Sequence, residues 1–252
     1  MNWTLRFLGT GAAELSALGS SAAVLERDGK PILLIDCGPD VVPRYWETYG
    51  VAPEALYITH VHMDHVGGME ALFTRIRFGE ERFPEPVIYT HASLVPLLQG
   101  RVADYPNVAA EGGSNYWDAF RLTPCSRGFW HEGLWFDVFP TRHHRPGTSY
   151  GLHLRGCFTF TGDTRPIPEV LESVASHGGP IAHDCSLHGN PSHSGVDDIE
   201  REYTADLRER MLLYHYSSAQ DGEALRARGF AVVEPGQVIE LPTPDSPHPD
   251  SG

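Results

Sequence analysis

Three histidines and an aspartate, His60, His62, Asp64 and His65, fall within six residues of one another. Neutral imidazole nitrogen and carboxylate oxygen are the donors that suit zinc and related divalent cations. A solvated loop has no need of such a density of ligands. The cluster follows the apolar run Ala55 to Thr59 and precedes the pair Gly67-Gly68, so it reads as a loop that leaves a strand and enters a helix. Other histidines and aspartates occupy the same kind of place. Arg142-His143-His144 follows Leu134 to Thr141, Asp163 follows Cys157 to Thr161, and His215 follows Met211 to Tyr214. Loops at strand ends carry function because a rigid sheet fixes their roots. The shared placement points to one metal site gathered from distant parts of the chain.

Positioning those loops requires a sheet framework, and the sequence supplies one. Alternation over Trp3 to Gly9 predicts a first strand, with a second near 20–27. Ile32 to Cys37 is continuously apolar, as in a strand covered on both faces. A helix is expected over Pro39 to Tyr49, ended by Gly50, and the spacing of Met69, Leu72, Phe73 and Ile76 predicts another over 66–78. Further strands are expected at 86–90, 134–141, 180–184 and 211–214, and a hairpin joins 149–154 to 157–161. Helices are expected at 92–100, 166–176, 197–210 and 218–228, then short strands near 230–233 and 237–241. The stretch 101–133 reads only as connecting strands and loops. Strands and helices interleave without a compositional break, which predicts one α/β domain over 1–241. The proline-rich tail 242–252 is expected to be disordered. Gly9-Thr10-Gly11 is not a dinucleotide fingerprint, since no third glycine opens a helix behind it.

Composition narrows the partners. The 252 residues are ample for a buried core, and 33 Asp plus Glu against 19 Lys plus Arg give a net charge of −14. Phosphate-backbone contacts need a basic surface, so long DNA or RNA is disfavoured. A small anionic substrate remains compatible, because two bound cations would reverse the sign locally. No apolar run approaches a membrane span and the N-terminus lacks a signal-peptide pattern, so no membrane association and a cytosolic location are expected. Cys37, Cys125, Cys157 and Cys185 are far apart and read as buried small residues. The aromatics Tyr116, Trp117, Phe120, Phe129, Trp130 and Trp135 read first as core, with a pocket wall as the alternative.

The assembled pattern resembles the metallo-β-lactamase superfamily. The H-x-H-x-D-H signature of that family is matched by His60, His62, Asp64 and His65. Phe7-Leu8-Gly9-Thr10-Gly11 and Ile35-Asp36-Cys37-Gly38 extend the resemblance over nearly the whole chain. The family's later histidine corresponds to His143 or His144, its bridging aspartate to Asp163 and its last histidine to His215. Pro140-Thr141-Arg142-His143 is similar to the P-x-x-H that closes this strand in related phosphodiesterases, which favours His143. The resemblance implies an α/β four-layer αβ/βα sandwich with two divalent metals at one edge of the paired sheets. It implies that His60, His62 and His143 hold the first metal, and Asp64, His65 and His215 the second, with Asp163 bridging. Zinc is the first expectation, and manganese, iron or nickel suits the same donors. Asp36 resembles a family aspartate that hydrogen-bonds a ligand histidine, the alternative being a strand-end turn residue.

The branch can be narrowed. Lactamases proper carry cysteine where Asp163 stands, and flavodiiron oxygen reductases carry glutamate in place of His62. The segment Ile181 to Ser186, followed by His193-Ser194, resembles the ribonuclease Z and cyclic-phosphodiesterase branch. There a histidine ahead of a helix, matched by His193, protonates the leaving alkoxide after attack by a metal-bridging hydroxide. The alternative for His193 is a helix-terminal loop residue. Neither the Gly/Pro-rich arm of ribonuclease Z nor the Cys-rich loop of the related cyclic phosphodiesterase is present. The resemblance thus implies a metal-dependent phosphodiesterase for a small phosphodiester or cyclic phosphodiester, with Asp64 and His193 as candidate catalytic residues. Two readings stand beside it: a thioester or lactone hydrolase using the same metals, and a metal-bound sensor or partner-binding protein without turnover. A homodimer is an open expectation.

Overall fold

Alternating side chains divide each central strand between two apolar environments, and that division builds the layers. In the computed structural model, which describes residues 1–12, 17–80, 83–103 and 114–245, the chain opens with β1 (Trp3–Gly9), β2 (Ala22–Arg27) and β3 (Lys30–Ile35). Then come α1 (Val41–Tyr49), β4 (Ala55–Ile58), α2 (Met63–Val66), α3 (Met69–Phe78), β5 (Val87–His91), α4 (Val95–Val102) and β6 (Arg121–Cys125). The second half holds β7 (Gly128–His131), β8 (Leu134–Pro140), β9 (Tyr150–Leu154), β10 (Phe158–Phe160), α5 (Pro168–Val174) and β11 (Ile181–Asp184). It closes with α6 (Val196–Glu202), α7 (Ala205–Glu209), β12 (Met211–Tyr214), α8 (Ala219–Ala227), β13 (Ala231–Val232) and β14 (Val238–Leu241).

One sheet has the order β14-β1-β2-β3-β4-β5-β6 and the other β13-β12-β11-β10-β9-β8-β7. The first is antiparallel from β14 to β3 and parallel from β3 to β6. The second repeats this, antiparallel from β7 to β10 and parallel from β10 to β13. Ala23 and Leu25 of β2 and Leu33 and Ile35 of β3 face Phe136, Leu152, Phe158 and Phe160 across the inter-sheet core. Their neighbours Ala22, Val24 and Leu34 turn outward against α1, α3 and α4. Ile181, Met211 and Leu213 likewise turn outward against α5, α6, α7 and α8. The result is the αβ/βα sandwich, and the carboxyl ends of the parallel strands meet along one edge.

Two helices differ from expectation. The 66–78 segment forms α2 and α3 with Gly67-Gly68 between them. The 197–210 segment divides into α6 and α7, because Tyr203 and Thr204 are extended. Tyr203 is held out of the helix: its phenol oxygen accepts the Ile167 N–H at 2.7 Å and lies 2.7 Å from His183 Nε2. The stretch 101–133 contributes β6 and β7 as edge strands, and its residues 104–113 lie outside the described residues. Tyr116 and Phe120 join the helix-side core, and Phe129 stacks between Tyr89 and Phe136, so these three rings are core. All four cysteines are buried and free. Of the tail, residues 242–245 are placed, with the Asp245 N–H donating to the Arg155 carbonyl at 3.0 Å, and the rest lies outside the described residues. Among the described residues no helix is long and apolar enough to cross a membrane.

Candidate metal centre

The histidine-rich loop is pinned by backbone contact with the loop after β3. The Cys37 N–H donates to the His65 carbonyl at 2.7 Å and the Gly68 N–H to the Cys37 carbonyl at 2.9 Å. A Cβ on Gly68 would lie 2.2 Å from the Gly38 carbonyl oxygen, and one on Gly38 would lie 2.0 Å from the Asp64 carbonyl oxygen. Glycine is required at both positions because backbone, which cannot yield, fills the space. Gly68→Ala should therefore cost ~1–3 kcal/mol in denaturant unfolding and lower metal content with it. Unchanged stability would show that the loops can part.

Asp36, buried at the end of β3, organises the ligands from behind. Its Oδ1 accepts the Thr59 N–H at 2.8 Å and its Oδ2 the Thr59 hydroxyl at 2.7 Å. His65 Nδ1 lies 2.7 Å from the same Oδ2, and His60 Nδ1 lies 3.0 Å from the Thr59 hydroxyl. Protons on both Nδ1 atoms satisfy these bonds and leave the Nε2 lone pairs facing the cluster. Asp36 adopts φ +62°, a left-handed conformation uncommon outside glycine, and His215 does the same at φ +68°. Strain at both positions is consistent with placement for function. Every group facing the Asp36 carboxylate is a donor, so an amide there mispairs. Asp36→Asn should weaken metal affinity ~10- to 100-fold in chelator competition; an unchanged affinity would make Asp36 a turn residue only.

Seven expected ligands converge. Atoms of His60, His62, His143 and Asp163 lie within 4.8 Å of one another, as do those of Asp64, His65, Asp163 and His215. Asp163 Oδ2 is 3.3 Å from both His65 Nε2 and His215 Nε2, and 3.6 Å from His60 Nε2. Asp64 Oδ2 is 3.5 Å from His65 Nε2 and 3.6 Å from His215 Nε2. Both oxygens of Asp163 and the Nε2 atoms of His60, His65 and His215 are buried without a hydrogen-bond partner among the described residues. Buried polar atoms are rarely left so. His143 donates Nδ1–H to the Ser192 carbonyl at 2.9 Å and presents its Nε2 lone pair 3.0 Å from His62 Nδ1. Converging lone pairs and shared carboxylates fit divalent cations.

Electrostatics agree with that fit. Burial alone would raise the Asp163 carboxyl, but His215, His65 and His60 outweigh it and hold the group well below the carboxylate range. Burial pushes His143 down to about 4 and His60 well below the usual imidazole range, so both rings are neutral, the form a cation needs. Burial also opposes charge on His65 and His215, yet the Asp163 carboxylate and its neighbours prevail, raising His215 to about 9 and His65 well above its ordinary value. A cation taking that place would displace those protons.

Asp184, the last residue of β11, is a site residue that the sequence did not single out. Its Oδ2 accepts the Thr164 N–H at 2.8 Å and lies 2.9 Å from His193 Nδ1, and its Oδ1 lies 3.5 Å from His215 Nδ1. His193 stands at the rim, its ring stacked on His215 at 4.8 Å. It also falls within ligand reach of Asp163, Asp184 and His215. Burial works against charge on His193, but the bond to Asp184 outweighs it and raises its pKa. His144, at φ +53°, turns out of the cluster and is exposed, with Nδ1 3.1 Å from the Ser192 hydroxyl. His91, His131, His153, His177 and His188 lie outside these ligand groups.

The relatives bear on what this arrangement is. A family model described as Anti-Pycsar protein Apyc1 matches residues 3–239. The chain belongs to the Apyc1 family. The Apyc1 of Paenibacillus harenae is 29% identical over 248 residues, covering 94% of this chain and 99% of that protein. Among solved structures, the metallo-β-lactamase fold protein YhfI of Bacillus subtilis superposes with a TM-score of 0.70 at 14% identity, covering 95% of this chain and all of that one. A diphosphatase of the PhnP family superposes at 0.71 and 18% identity, covering 96% and 99%. The fold is thus the metallo-β-lactamase fold, with two groups of histidine and carboxylate side chains able to hold metal ions.

Proposed function

We propose that this Apyc1-family protein is a dinuclear metal-dependent phosphodiesterase that opens a small cyclic phosphodiester, by class a cyclic nucleotide. The observation that carries the reading is the Asp163 carboxylate, buried between two ligand sets, with His193 held at their rim by Asp184. His60, His62 and His143 would hold one cation, Asp64, His65 and His215 the other, and Asp163 would face both. Zinc suits these donors first, with manganese, iron or nickel accommodated. When bound, such a pair supplies an activated water at neutral pH and draws charge from the phosphoryl oxygens.

The chain's own residues do the remainder. Asp36 and Thr59 fix the His60 and His65 rings, so the substrate meets a preset site. Asp184 holds His193 by Nδ1 and favours its protonated form, which serves a group that gives a proton to the departing alkoxide. The net charge of −14 favours a small substrate over a long polyanion, and family membership favours a cyclic nucleotide. A panel of cyclic nucleotides, linear phosphodiesters, thioesters and lactones, assayed with the metal-loaded protein, tests the reading. Cyclic-nucleotide opening is expected to exceed the rest; turnover confined to esters would sink it.

A further inference from the structure

A second cavity, whose lining shares no residue with the metal centre, lies along β8 and β9. It measures about 620 Å³ and is bounded by β8, β9, α5 and the turn before β7. For a chain of net charge −14 its lining is anomalous, since Arg127 and Arg155 border it together with His91, His153 and His177, against the single carboxylate of Asp137. Asp137 already accepts the Trp135 indole N–H at 2.8 Å. Arg127 has no ion-pair partner among the described residues, and Arg155 donates to His177 Nε2 at 2.6 Å rather than to a carboxylate. An uncompensated pair of guanidiniums beside a cavity is an anion's environment.

The independent sign is His153. It lies in β9, is only 2% exposed, and lines the cavity. Its Nδ1 is 2.9 Å from the buried Thr159 hydroxyl, while its Nε2 has no hydrogen-bond partner among the described residues. Nε2 is then an unused donor where the Thr159 hydroxyl donates to Nδ1, and an unused acceptor where Nδ1 donates to the hydroxyl. Burial, then His177, pushes this imidazole down to about 4, so the ring is neutral. A buried polar atom without a partner calls for one. Nearby, the His91 ring stacks on Tyr150 at 3.7 Å and both border the same cavity, giving an aromatic wall.

We infer that this cavity binds a small phosphorylated anion of up to mononucleotide size, its phosphate received by Arg127 and Arg155 beside the buried His153 imidazole. The volume falls in the range of small-molecule sites, and planar guanidiniums match phosphate oxygens. The test titrates the metal-loaded full chain with inorganic phosphate and, separately, with adenosine 5′-monophosphate, by calorimetry. Two classes of site are expected, one at the metal centre and one here. In Arg127→Ala/Arg155→Ala the second should weaken at least ~10-fold, with hydrolysis of bis(p-nitrophenyl) phosphate unchanged. Histidine-ring ¹⁵N spectra give a second readout, in which saturation should shift His153 Nε2 in the unaltered chain. Loss of phosphate binding in the double variant would assign a free phosphate site, and loss of the mononucleotide alone would assign a nucleotide site. A single class of site, binding unaffected by the double variant, or an unmoved His153 would overturn the inference.

Discussion

Asp163→Asn is expected to reduce bound metal from about two ions per chain to one or fewer and to cut turnover ~10³-fold or more. A metal supplies several kcal/mol of charge stabilisation, and each ~1.4 kcal/mol is tenfold in rate. Among the described residues no other carboxylate faces both ligand sets: Asp163 Oδ2 lies 3.3 Å from His65 and His215, 3.6 Å from His60 and 3.9 Å from His143. The amide keeps the shape but offers one weak acceptor where the carboxylate offers two strong ones. Folding should survive, because the change removes a buried charge and the amide can donate to neighbouring imidazoles. Circular dichroism would show the retained fold while metal analysis shows the loss. Asp64→Asn gives the contrast. Among the described residues the histidines within 4 Å of Asp64 are His65 and His215, so about one ion should remain. Equal metal loss in the two variants would contradict a shared Asp163, and full metal content with full activity in Asp163→Asn would sink the site.

The parts of this centre that sequence reveals are those whose geometry is local. His60, His62, Asp64 and His65 are spaced by one loop and the first turn of α2, so their convergence follows from backbone spacing alone. The distant ligands were signalled by a rule rather than a motif, each lying just past an apolar strand. The same rule applies to Asp184 at the end of Ile181–Asp184, but a strand-end carboxylate has no visible partner in sequence. Pairing of Asp184 with Tyr214 across β11 and β12 is what sets it beside His215. The choice between His143 and His144 lay beyond spacing, since one left-handed residue decides which ring enters the cluster. The break between α6 and α7 was equally hidden. Tyr203 leaves the helix for partners 20 and 36 residues away in sequence, and helical periodicity does not register such bonds.

His193 should reveal its role through the leaving group. For a cyclic nucleotide the departing oxygen is an alkoxide that needs a proton, and a positioned acid contributes ~10²–10⁴-fold. His193→Ala is therefore expected to slow cyclic-nucleotide opening by that order, yet leave hydrolysis of a p-nitrophenyl phosphodiester within a few-fold, because nitrophenolate departs unaided. Metal content should stay at its original value. This last measurement separates the proton donor from the other role its position allows, since His193 lies within ligand reach beside Asp184 and His215. A ligand role predicts lost metal and an equal fall for both substrates, and that outcome would remove His193 from the proton-transfer step. Asp184 provides a finer test as a positioning residue. Its carboxylate lies 2.9 Å from His193 Nδ1 and, against the effect of burial, raises that imidazole's pKa. In Asp184→Asn the charge is gone and the pKa must fall. The acid is then lost at lower pH, so the alkaline limb of the rate profile should move to lower pH for the cyclic nucleotide. For the nitrophenyl ester, which needs no proton, the same limb should stay in place. A purely structural role for Asp184 would lower both rates together and leave both profiles where they were.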